Sequence, residues 1–123
     1  MEKKLLIIED EADIREAMAE AAMQENFHVS VAKNGQEGLQ IALAEKPDLI
    51  LLDIVMPVMD GHQVLEKLRA DPWGQSAKVI MLTSMDDVKN IGDATANNIT
   101  EYIIKAHSSL DDIMRQVRLA IYS

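Results

Sequence analysis

The sequence predicts an α/β fold: one doubly wound five-stranded parallel sheet, (βα)5, with helices on both faces. Three observations carry this. Short, fully apolar runs recur along the chain, longer stretches of helical periodicity separate them, and the two alternate strictly, five of each. Strands joined through helices favour parallel pairing with right-handed crossovers. The 123 residues suit a single compact domain over 1–123, and no stretch reads as a linker, a repeat or an output domain.

Leu5-Leu6-Ile7-Ile8 is apolar without interruption, the mark of a strand covered on both faces. Over residues 12–25, Ile14, Ala17, Met18, Ala21 and Ala22 form one helical stripe. Phe27 to Val31 alternates and predicts a strand nearer an edge. Asn34 with Glu37 three residues on resembles a capping box for a helix that runs to about Lys46, before Pro47. Leu49-Ile50-Leu51-Leu52 is a second fully apolar strand. Met56 to Gly61 follows as a loop with turn chemistry at its end. Val64, Leu65 and Leu68 mark a short helix closed by Asp71-Pro72. Val79 to Leu82 is the fourth strand, 86–97 a weakly patterned helix, and Tyr102 to Ile104 the fifth strand. Ser108, with Asp111 as its partner, is expected to cap a last helix whose buried stripe is Leu110, Ile113, Met114, Val117 and Ile121. The eight methionines are expected as core filler.

Composition narrows the chemistry. The chain has no cysteine, which removes disulfides, thiolate metal sites and thiol nucleophiles. A net charge of −9 repels phosphate backbones and points to basic protein partners or metal cations, with no direct nucleic-acid binding. The amino-terminal apolar run is too short for a signal peptide, and no run approaches a membrane span. The expectation is a cytoplasmic domain.

Ligands of open α/β sheets bind beyond the carboxyl ends of the strands. Those ends carry Glu9, Asp10 and Glu11 after the first strand, Asp53 after the third, Thr83 and Ser84 after the fourth, and Lys105 after the fifth. If the first and third strands are neighbours, Glu9, Asp10 and Asp53 converge. Converging carboxylates repel, and a hard dication such as Mg²⁺ relieves them through oxygen ligands. The same cation would neutralise and align a phosphoryl group, leaving Asp53 as a nucleophile that forms an acyl phosphate. Thr83 could donate to one phosphoryl oxygen and Lys105 pair with another. Plainer readings exist: a helix start enriched in acids, a hydroxyl cap at Thr83 or Ser84, a surface lysine. His28, His62 and His107 share no metal-ligand spacing and are expected at the surface.

The segments LLIIEDE, LILLDIVMPVMDG, VIMLTS and EYIIK resemble the receiver domains of two-component response regulators, a chemotaxis-receiver-like family, over essentially the whole chain. The resemblance implies a flavodoxin-like sheet with strand order 2-1-3-4-5. It implies Asp53 as phosphoacceptor, Asp10 as direct Mg²⁺ ligand and Glu9 as a ligand acting through water. A further ligand would be the backbone carbonyl of Val55. Thr83 would be the switch hydroxyl, Lys105 the phosphate-pairing lysine, and Tyr102 the aromatic whose ring position reports activation. The phosphodonor would be a histidine kinase or phosphotransfer protein. A downstream protein would bind the face made by the fourth helix, fifth strand and fifth helix. Valine and methionine at 55 and 85 should flank the path of an attacking water and slow self-dephosphorylation.

Two departures stand out. Ala106 replaces a proline often preceded by a cis bond, which before a non-proline residue costs roughly 2.5–4 kcal/mol. Asn97-Asn98 replaces a common Gly-Ala pair. Two other functions fit parts of the pattern. A receiver-like adaptor could work without phosphorylation. An aspartyl-nucleophile phosphatase of the haloacid-dehalogenase type would need a second Asp where Val55 stands.

Overall fold

The computed structural model describes residues 2–83, 101–105 and 108–123. Its sheet contains β1 (Lys4–Ile8), β2 (His28–Ala32), β3 (Leu49–Asp53), β4 (Val79–Thr83) and β5 (Glu101–Ile104). The spatial order is β2-β1-β3-β4-β5, with every neighbouring pair parallel. The described helices are α1 (Ala12–Gln24), α2 (Gly35–Glu45), α3 (Gly61–Arg69) and a C-terminal helix (Leu110–Ile121). The helix expected over 86–97 lies outside the described residues.

The continuous apolar runs have a direct cause. Alternate side chains of each strand enter opposite layers. Leu5, Ile7, Leu49, Leu51, Ile80 and Leu82 pack with Met18, Ala22, Ile113, Met114 and Val117 beneath α1 and the C-terminal helix. Leu6, Ile8, Ile50, Leu52, Val79 and Met81 pack with Ala42, Val64, Leu65 and Leu68 beneath α2 and α3. Strand β2 lies at the edge, as its alternating sequence predicts, but it buries only Ala32 fully and leaves Val31 exposed.

Several local expectations need correction. The C-terminal helix is capped by Ser109 and not Ser108. The Ser109 hydroxyl accepts from the Asp112 N–H, and the Asp112 carboxylate accepts from the Ser109 N–H, so the motif sits one residue later in a run where two registers read alike. Leu110 then falls on the first, outward position of that helix and is exposed, while Ala120 joins the buried stripe. In α1, Ala17 lies at the outer edge of the stripe and is exposed. Asn34 accepts from the Glu37 N–H at 2.8 Å, but Glu37 turns to the Lys33 N–H, so the box is half formed. Asp60-Gly61 is not a turn but the start of α3: Asp60 and Gln63 form a complete capping box. Met18, Met56, Met81 and Met114 are core, whereas Met23 is exposed.

The β3–α3 connection contains a strained residue. Val58 has φ 69° and is 96% exposed. The left-handed region costs an L-residue roughly 1–2 kcal/mol, more for a β-branched one, and this side chain gains almost no burial in return. Val58→Asn is expected to raise unfolding free energy by about 0.5–1 kcal/mol. A denaturant midpoint equal to or below the parent's would contradict this.

Candidate functional site

Register brings the acids together. Ile7 and Ile8 pair with Leu51 and Leu52 across β1 and β3, so the next residue on each strand, Glu9 and Asp53, stand level with one another. Both continue the alternation of Leu5, Ile7, Leu49 and Leu51, and so face the α1 side. Asp10 follows in the turn to α1. One carboxylate oxygen from each of Glu9, Asp10 and Asp53 lies within 4.8 Å of the others. The strand after next contributes the cation. The Lys105 ammonium donates to Glu9 Oε1 at 3.2 Å and to Asp53 Oδ1 at 3.3 Å.

Burial governs the electrostatics. Glu9 is 0% and Asp53 2% exposed. Desolvation, then the shared hydrogen bond and repulsion with Asp53, raise the Glu9 pKa to about 7. Desolvation also raises Asp53, against a hydrogen bond from Glu9 and the charge of Lys105. Lys105 is held above its usual range: burial works against the ammonium, but Asp53 and Glu9 more than offset it. Two of the three carboxylates thus share one ammonium, and Asp10 has no contact with it. The residues fit a hard dication, because oxygen donors in excess of positive charge, two of them cut off from water, are what such an ion stabilises.

Two supports were not legible as site residues. Gly61 permits α3 to start against the end of β3: a Cβ there would lie 2.6 Å from the Asp53 carbonyl oxygen and 2.7 Å from the Ile54 Cα. Arg15, on α1, donates from Nη1 to the carbonyls of Glu9 at 3.0 Å and Asp10 at 3.4 Å. The sequence signal for Arg15 was a cation near a helix start, where acids are the better fit.

Of the other expected residues, Thr83 is fully buried and directly follows Leu82, the register partner of Asp53. Val55 is more than half exposed just past Asp53. Tyr102 lies on β5 opposite Met81, with its side chain outside the described part of the structure. Ser84, Met85, Asn97, Asn98, Ala106 and His107 also lie outside it, and so does the Lys105–Ala106 bond. His28 is exposed, but His62 is half-buried with Nε2 unpaired, a departure from the surface position expected of it.

The model of the response regulator receiver domain matches residues 5–118. The chain belongs to this family. The receiver is 33% identical over 106 residues to a probable transcriptional regulator, ycf27, of Guillardia theta, covering 86% of this chain and 41% of that protein. It is 33% identical over 115 residues to the transcriptional regulatory protein SrrA of Staphylococcus aureus, covering 94% and 46%. The receiver therefore spans less than half the length of these curated relatives. Its fold matches the chemotaxis protein CheY4 of Vibrio cholerae with a TM-score of 0.89 at 22% identity, covering 98% of this chain and 99% of that one. It matches the receiver domain of AraT from Geobacillus stearothermophilus with 0.85 at 27%, covering 99% and 95%. Among the described residues no helix is long and apolar enough to cross a membrane.

Proposed function

We propose that this receiver accepts a phosphoryl group on Asp53 from the phosphohistidine of a histidine kinase or phosphotransfer protein, and that the modified state changes a partner-binding face. The observation that carries this reading is the buried Asp53 carboxylate paired with Lys105 and grouped with Glu9 and Asp10. An Asp53 oxygen attacks phosphorus, the P–N bond to the donor imidazole breaks, and the imidazole leaves with its electron pair and takes up a proton. Asp10 and Asp53, with Glu9 through water and the Val55 carbonyl, would hold Mg²⁺. Bound there, the ion supplies charge neutralisation and alignment for the incoming phosphoryl oxygens.

Lys105 already touches Asp53, and its ammonium pairs with a phosphoryl oxygen once the carboxylate has become an acyl phosphate. Thr83 donates its hydroxyl to a second oxygen. The displacement of these two residues, with Tyr102, biases the face around β5 and the C-terminal helix toward its partner-binding form. Valine at 55 leaves the attacking-water path without a polar anchor, so the phosphoryl group should persist. Val55→Asn is expected to shorten its lifetime, read from decay of the modified mass. The acidic chain binds protein partners and not nucleic acid directly, in the cytoplasm. It acts either alone or as one domain of a larger regulator.

The test is intact mass after incubation with Mg²⁺ and acetyl phosphate. Gain of a single phosphoryl mass, abolished by EDTA, is expected. No gain favours the phosphorylation-independent adaptor. Release of alcohol from a phosphomonoester over many turnovers favours the phosphatase, a reaction for which Val55 supplies no general acid.

A further inference from the structure

We propose that Arg15 is a positioning residue for the divalent-cation site: its guanidinium straps together the Glu9 and Asp10 carbonyls and so fixes the backbone from which both carboxylates project. The inference rests on the reading of Glu9, Asp10 and Asp53 as a cation site.

Glu9 and Asp10 occupy the short turn between Ile8, which ends β1, and Ala12, which starts α1. The turn is tied at its start by the Glu9 N–H to the Ala32 carbonyl at 3.1 Å. At its end the N-cap, Glu11, makes no side-chain cap bond. The Glu9 and Asp10 carbonyls lie before the helix and outside its ladder. Arg15 reaches back five and six residues to supply them with a donor.

The macrodipole does not account for this arginine, because a cation near a helix start opposes the partial positive charge there. Nor does it form an ion pair with Asp10: both recorded bonds end on main-chain oxygens. An arginine that bonds two successive carbonyls orders their carboxylates as outer partners of a metal site commonly do, where loss costs roughly 10- to 100-fold in affinity.

A purely electrostatic role predicts the opposite sign. Removing a positive charge beside a dication site would tighten binding, and lysine would substitute for arginine. Both bonds leave from the single nitrogen Nη1, which stands one bond further from the backbone than a lysine ammonium, so the strap depends on a reach that lysine lacks. The experiment is a Mn²⁺ titration of the parent, Arg15→Lys and Arg15→Met, followed by loss of the free-ion EPR signal, with thermal melts of the metal-free proteins alongside. The expected result is a Kd raised about tenfold or more in both variants, with lysine giving little rescue and the melts close to the parent's. Lysine within twofold of the parent, or methionine binding more tightly, overturns the strap and leaves the site reading intact. A parent that binds no Mn²⁺ overturns the site reading itself.

Discussion

Asp53→Asn is expected to take up no detectable phosphoryl group under conditions that modify the parent. The amide matches the carboxylate in shape and keeps the buried position at the end of β3. Its nitrogen is not a nucleophile, and its neutral oxygen is a poor one. Neighbouring carboxylates do not replace it. Glu9 is fully buried, and one of its oxygens is held by Lys105. Asp10 lies beyond the strand end, away from the Lys105 contact that reaches Asp53. The check is intact mass with acetyl phosphate and Mg²⁺, with peptide mapping of the parent to locate the modified residue. A variant that gains the phosphoryl mass as readily as the parent would place the acceptor elsewhere.

The second large effect is on stability against pH in the absence of divalent cations. The folded protein raises the Glu9 pKa from 4.5 to about 7, and raises that of Asp53 as well, chiefly by burial. A carboxyl whose folded pKa is raised binds its proton more tightly when folded. Its contribution is therefore fully present below the unfolded pKa and is lost as pH rises through the folded one. The metal-free protein should lose stability between about pH 4.5 and 8, on the order of 3 kcal/mol relative to Glu9→Gln, which cannot ionise. Asp112 acts in the other sense. Hydrogen bonds from Ser109 hold its pKa below the usual value, so its contribution disappears only in more acid solution. Mg²⁺ should restore the parent most at the alkaline end, where the carboxylates are charged. The measurement is denaturant unfolding in EDTA at a series of pH values. Parent and Glu9→Gln curves that run parallel from pH 5 to 8 would contradict the assignment.

The sheet was legible because its strands are buried on both faces. Leu49 to Leu52 and Val79 to Leu82 carry no polar residue to mistake for a solvent face, and the elements between them are long enough only for helices. The strand-end residues were legible for a related reason. A carboxylate directly after four buried aliphatics, as in Glu9 and Asp53, has no ordinary structural reason to be there.

Other features depended on atoms the sequence does not order. Ser108-Ser109 followed by Asp111-Asp112 offers two capping registers of equal appeal, and the choice was made by where Ile113 and Val117 enter the core. Asp60-Gly61 carries the composition of a turn, yet it begins a helix because Gly61 must pass against the Asp53 backbone. Arg15 contacts carbonyls, and contacts to main chain leave no pattern of complementary residue types to read.

The most direct measurement of the central claim is a calorimetric titration of Mg²⁺ into the parent, Asp10→Asn and Asp53→Asn. Carboxylates from β1 and β3 that form one cation site predict a single ion per chain in the parent and binding weakened at least tenfold in either variant. Parent protein that binds no Mg²⁺, or an Asp10→Asn chain that binds it as tightly as the parent, would contradict the account.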